Sequence, residues 1–200
     1  MQELKENSTI INEINIKKSR FICLLQKVTS EKAALAFIKA NQQLSATHNC
    51  YAYIIGKNQN IIRKYDDGEP TNTAGKPILD ILLHYHLTNV VCLVIRYFGG
   101  IKLGAGGLIR AYANSVKMNL KNRELVPYLE TIEITMQFPI SKIKIVDEYL
   151  NYHYQIIQIT KTFNAPISYT FRLATTEIPA LRLWANNHAI KVTLFEHKDS

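Results

Sequence analysis

Two hundred residues, 47% of them hydrophobic, with 24 Lys+Arg against 16 Asp+Glu and a formal net charge of +8, suffice for one ordinary core or two small ones and exclude a disordered or fibrous chain. The longest unbroken apolar runs, six residues as in Val90 to Ile95, fall far short of the roughly 20 residues of a membrane span, and the start MQELKENSTIINEIN has no hydrophobic signal region, so a cytoplasmic address without a membrane partner is expected. Charge is uneven: residues 1–121 hold 16 Lys+Arg and 8 Asp+Glu, residues 122–200 hold 8 of each, and a basic first part suits RNA, DNA or a phosphorylated ligand.

Along the chain, residues 9–27 read as two strands, the second being the alternating SRFICLLQKV. SEKAALAFIKANQQL follows as a helix capped by Ser30, with Ala34, Phe37, Ile38 and Asn41 on one face. HNCYAYIIG and NIIRKY form a hairpin around Gly56 and Asn60, and DDGEPTNTAGKP is a polar loop without periodicity. A helix starting at Pro77 turns Ile78, Leu79, Leu82 and Tyr85 inward. The β-branched run VVCLVIRY is a buried strand. Cys23, Cys50 and Cys92 lack CxxC spacing and read as small core residues rather than as a disulfide framework or zinc site.

Residues 96–112, RYFGGIKLGAGGLIRAY, contain five of the eight glycines and lie between that strand and a second long helix. Glycine lets a ligand approach the main chain, and a helix starting near Gly104 would aim its unsatisfied amides and positive dipole end at an anion. The backbone of Gly99, Gly100, Gly104, Gly106 and Gly107 is therefore expected to hold phosphate, assisted by Arg96, Lys102, Arg110 and Lys117. The helix places Leu108, Tyr112, Val116 and Leu120 on one side and a basic stripe, Arg110, Asn114, Lys117 and Lys121, on the other.

NRELVPYL, residues 122–129, reads as a linker, with a first domain over 1–124 and a second over 125–200. In the second, ETIEITMQF is a strand and ISKIKIVDEYLNYH a helix facing inward through Ile140, Ile143, Val146 and Leu150. Strands YQIIQITKTF and ISYTFRLAT, helix TEIPALRLWANNHA and strand IKVTLFEH complete a βαββαβ order, the ferredoxin-like arrangement. The fold class is thus α+β in two domains. The open sheet face would show Glu133, Thr135, Thr170 and Arg172, without an aromatic pair for base stacking.

Three further groups could carry chemistry. Thr73, Gly75 and Lys76 offer a second hydroxyl and amide cluster for an anion. Asp66, Asp67 and Glu69 could hold magnesium, although their spacing is not that of a calcium hand and no metal is expected in the leading reading. His48 and Cys50 share one strand face as a thiol–imidazole pair, with His48 the candidate proton carrier. GxSxG and HExxH are absent.

SRF at 19–21, ATHNCYAY at 46–53, DDGEPTNTAGKPIL at 66–79 and RYFGGIKLGAGGLIRAY at 96–112 resemble, in order and spacing, the motifs of the YigZ/IMPACT family. The resemblance implies a first domain folded like the second domain of a small-subunit ribosomal protein and a second domain like the last domain of elongation factor G. Eukaryotic relatives are linked to translational control under amino-acid starvation, through a regulator domain with no counterpart in this chain. For bacterial members it implies a nucleic-acid or ribosome-associated role. The leading expectation is a cytosolic regulator of translation or stress response that binds RNA or the ribosome through phosphate groups, without a cofactor. The alternatives are a magnesium-dependent enzyme acting on a nucleotide or phosphorylated metabolite, and a protein-interaction module built on the second domain.

Overall fold

Alternating and β-branched segments build three antiparallel sheets in the computed structural model, which describes residues 1–195 apart from Asn122, Gln155, Ile157 and Gln158. The chain divides into two units, Met1–Tyr128 and Leu129–Ser200. The first contains β1 (Gln2–Leu4), β2 (Ile10–Ile16), β3 (Ser19–Lys27), α1 (Glu31–Asn41), β4 (His48–Ile55), β5 (Ile61–Tyr65), α2 (Gly75–His84), β6 (Val90–Tyr97), α3 (Ala105–Leu120) and β7 (Leu125–Pro127).

Strand order in the main sheet is β2-β3-β6-β4-β5, with β6 at its centre. Val90, Cys92 and Val94 pack with α2 and α3, whereas Val91, Leu93 and Ile95 lie in the clusters on the α1 side. Cover on both faces explains an unbroken apolar run where a half-exposed strand would alternate. The Ser30 hydroxyl caps α1 by accepting from the Ala33 N–H at 3.2 Å. On α3, Leu108, Tyr112, Val116 and Leu120 are buried, and Arg110, Asn114, Lys117 and Lys121 are exposed, as the helical spacing predicts.

Two boundaries differ from the sequence reading. α2 begins at Gly75 rather than Pro77, because the Asp66 carboxylate accepts from the Ala74 and Gly75 amides at 3.0 and 2.8 Å and so caps the preceding turn. The expected linker contains β7, which pairs antiparallel with β1 and belongs to the first unit, moving the division from 124 to 128. Strands of three residues carry too little alternation to be read from sequence.

The second unit contains β8 (Thr131–Phe138), α4 (Ile143–His153), β9 (Ile159–Thr162), β10 (Ile167–Ala174), α5 (Ile178–Asn187) and β11 (Lys191–Phe195). Its sheet runs β11-β8-β10-β9, the ferredoxin-like order. Val146 and Leu150 of α4 and Leu181 and Ala185 of α5 pack on Ile134, Met136, Tyr169 and Phe171. On the opposite face Glu133 pairs with Arg172 and Thr135 with Thr170, whose hydroxyls are 2.8 Å apart. Ile140, expected to face inward on the first helix, instead lies in a single 3-10 turn, Ile140–Lys142, and is 75% exposed. Of the expected strand YQIIQITKTF, Gln155, Ile157 and Gln158 lie outside the described residues, as do Glu196 and His197 at the end of IKVTLFEH. Among the described residues no helix is long and apolar enough to cross a membrane.

Candidate functional site

Position in the pleat decides which polar groups meet inside the first unit. Arg96 follows Val90, Cys92 and Val94 at intervals of two and so faces α3; opposite it in register stand Phe21 of β3 and His48 of β4. Arg96 is only 5% exposed, and its guanidinium donates to Glu69 Oε1 at 2.5 Å. The Tyr112 hydroxyl donates to the same oxygen at 2.7 Å. Ser19 Oγ accepts from Arg96 at 3.4 Å and from the Gly99 amide at 3.3 Å. A buried charge is tolerated only when paired and hydrogen-bonded in this way. Arg96 therefore anchors the interior and does not face an external phosphate, contrary to the sequence expectation.

The acidic loop is likewise committed to protein donors. Asp66 holds the amides of Asn72, Ala74 and Gly75, Asp67 accepts from the Asn49 N–H at 2.6 Å, and Glu69 holds Arg96 and Tyr112. Among the described residues no group of three His, Cys, Asp or Glu is placed to hold a metal ion. The second anion cluster also fails to form. The Thr73 hydroxyl donates to Pro70 O at 2.6 Å, the Gly75 amide is taken by Asp66, and the Lys76 ammonium pairs with Asp80. Gly75 serves close packing instead, since a Cβ there would lie 2.7 Å from the Tyr65 nitrogen.

His48 Nδ1 lies 2.7 Å from the Asp67 carbonyl oxygen, which can only accept, so Nδ1 carries the proton and Nε2 is left 3.8 Å from Glu69 Oε2. Cys50 is fully buried, its sulfur 3.0 Å from Asp66 O and 3.3 Å from the Tyr112 hydroxyl. Burial pushes the Cys50 thiol pKa well up; the Tyr112 hydrogen bond opposes this, and the Glu69, Asp67 and Asp66 carboxylates add to it. A thiol held protonated is no nucleophile, so the candidate thiol–imidazole pair is structural.

The glycine loop is open where the acidic loop is closed. Gly100 and Gly104 have φ of +83° and +71°, the left-handed region that favours glycine. The first backbone bond of α3 runs from Leu108 N–H to Gly104 O at 2.9 Å, and no side chain caps this end. The amides of Ala105, Gly106 and Gly107 thus precede the helical ladder. A Cβ built at Gly104 or Gly106 meets nothing within 4 Å, whereas one at Gly107 would lie 3.0 Å from Leu103 Cβ. Lys102, Arg110, Lys117 and Lys121 are exposed and form no ion pair among the described residues.

Two further cations join this surface. Lys17 and Lys18 form the two-residue β2–β3 turn, are exposed, and have φ of +44° and +66°. The turn touches the loop directly, because a Cβ on Gly99 would lie 1.9 Å from the Lys18 carbonyl oxygen. Gly99 is accordingly a packing glycine whose amide is already given to Ser19. Sequence reading missed the lysines because such turns usually announce themselves by Asn-Gly or Asp-Gly.

The pattern of the Impact N-terminal domain matches residues 17–120. The chain belongs to the IMPACT family. The matched span runs from the Lys17–Lys18 turn to the end of α3 and includes the whole buried network and the glycine loop. The family member YvyE of Bacillus subtilis is 53% identical over 113 residues, 56% of this chain and 52% of YvyE, so that match spans about half of the relative's length. A family member from Haemophilus influenzae is 36% identical over 181 residues, 88% of this chain and 87% of the relative. A crystal structure of a hypothetical protein is similar over 98% of both chains, with a TM-score of 0.67 and 27% identity.

Proposed function

We propose that this IMPACT-family protein is a cytoplasmic regulator that binds RNA, free or within the ribosome, by its phosphate groups and acts on translation or the stress response. One observation carries the reading: cations with no ion-pair partner among the described residues stand at Lys17, Lys18 and Lys102 on the loops beside the uncapped N-terminus of α3 and continue along its exposed face from Arg110 to Lys117 in the last turn. Gly100, Gly104 and Gly106 leave the main chain there accessible, and helix amides beside cations are what a phosphodiester backbone requires. The regulatory part of the proposal comes from family membership and the translational control attributed to eukaryotic relatives. Turnover of a nucleotide has less support, because Asp66, Asp67 and Glu69 face protein donors and Cys50 is buried.

Fluorescence anisotropy with a labelled single-stranded RNA over a KCl series tests the proposal. Five phosphate contacts give a log–log slope of about −3.5, at about −0.7 each. The charge reversals Arg110→Glu and Lys117→Glu should abolish binding. Absent binding, or binding indifferent to salt, would reject it.

A further inference from the structure

Beyond β8 the chain turns through Pro139 into the 3-10 segment Ile140–Lys142, and the β9–β10 connection comes up opposite it. Between them lies a cleft of about 690 Å³, walled by Phe138, Ile140, Phe163, Pro166 and Ile167. Its volume falls within the range of about 300–1,000 Å³ typical of small-ligand sites. Ile140 is 75% and Phe163 64% exposed; these are large apolar side chains whose contact with water a ligand would relieve.

Among the described residues the polar side chains lining the cleft are Gln137 and Lys191, which stand opposite each other on β8 and β11. Opposed residues share a sheet face with Cβ atoms roughly 5 Å apart, so the amide and the ammonium can converge on one group. Lys191 is exposed, and among the described residues it has no ion-pair partner and no carboxylate lines the cleft. Apolar walls with a single cation and an amide donor complement an apolar body carrying one negative charge. A lone ammonium matches a monoanion better than a polyphosphate.

We infer that this cleft binds a small amphipathic carboxylate, aliphatic or aromatic, with its headgroup on Lys191 and Gln137 and its body against Ile140 and Phe163. The site lies wholly in the second unit and stands apart from the RNA reading.

The test titrates the full chain with laurate and with lauryl alcohol, below their aggregation limits, following backbone amide chemical shifts. Laurate should bind saturably and shift the amide signals of Lys191 and of the non-proline residues within 137–140 and 163–167. Lys191→Ala should weaken laurate about tenfold and leave lauryl alcohol unchanged. Ile140→Ser and Phe163→Ser should weaken both, and both parent side chains are exposed enough for these variants to fold. Absence of saturable laurate binding, or binding undiminished by Ile140→Ser and Phe163→Ser, would overturn the site. Laurate binding that survives Lys191→Ala intact would overturn the carboxylate assignment. Self-association of the chain that disappears in Ile140→Ser would give the cleft to a second copy and equally overturn it.

Discussion

Gly99 sits against Lys18 so closely that a Cβ would stand 1.9 Å from the lysine's carbonyl oxygen. The contact locks the β2–β3 turn to the glycine loop, and the Ser19 hydroxyl reinforces it by accepting the Gly99 amide at 3.3 Å. Gly99→Ala must push two backbones apart, and the expected loss is about 3 kcal/mol of unfolding free energy. Gly106 supplies the control: its Cβ meets nothing within 4 Å, and Gly106→Ala should gain roughly 0.5 kcal/mol from helix propensity. Urea unfolding measures both, and equal effects would refute the packing argument.

Glu69 Oε1 receives both the Arg96 guanidinium at 2.5 Å and the Tyr112 hydroxyl at 2.7 Å. Glu69→Gln keeps the shape but leaves a buried guanidinium without its counter-charge, which should destabilise by about 3 kcal/mol. Tyr112→Phe removes the hydrogen bond to a carboxylate that retains Arg96 and the weak one from a Cys50 thiol that retains Asp66 O, and about 1.5 kcal/mol is expected. The order is the diagnostic. A larger loss for Tyr112→Phe would mean that the hydrogen bonds of the Tyr112 hydroxyl, not the ion pair, organise the interior.

Burial explains what could and could not be read from sequence. β6 and the inward side of α3 were legible because cover on one face or two writes a periodicity into the residues, as at Leu108, Tyr112, Val116 and Leu120. The basic stripe was legible as its complement. The buried network was not, because the His48–Cys50 strand, Glu69, Arg96 and Tyr112 come from separate segments and no local spacing says that Arg96 meets Glu69. Strand parity held the missing signal: Arg96 is in phase with Val90, Cys92 and Val94, which places it on the covered face. The β1–β7 ribbon and the Lys17–Lys18 turn carry no comparable periodic mark.

Alkaline pH should destabilise the protein through its buried thiols. Burial raises the Cys50 thiol above its ordinary value of 9.0 and does the same to Cys92. A native state that holds the proton more tightly has its full advantage below pH 9 and loses it as the unfolded thiol ionises above that value. Each such thiol contributes a fall of roughly 1.4 kcal/mol per pH unit. Comparing urea unfolding of the parent and Cys50→Ala at about pH 8 and about pH 10 isolates one of them. The variant should show a shallower decline, and an unchanged slope would contradict a protonated buried Cys50.

The lysine turn separates folding from ligand binding. Lys17 and Lys18 occupy left-handed conformations, φ +44° and +66°, that lysine tolerates poorly. Replacing both, Lys17→Asn with Lys18→Gly, installs the residues such a turn favours and should raise stability by about 1 kcal/mol. It also removes two charges beside the glycine loop, so the salt slope for single-stranded RNA should become shallower by about 1.4. Affinity should fall alike for unrelated sequences, because phosphate contacts carry no base information. Lys144→Ala, removing a cation 89% exposed on α4, should leave binding unchanged. Stability and affinity moving in opposite directions cannot arise from partial unfolding, so that outcome assigns the loss to charge; an unchanged salt slope would remove Lys17 and Lys18 from the interface.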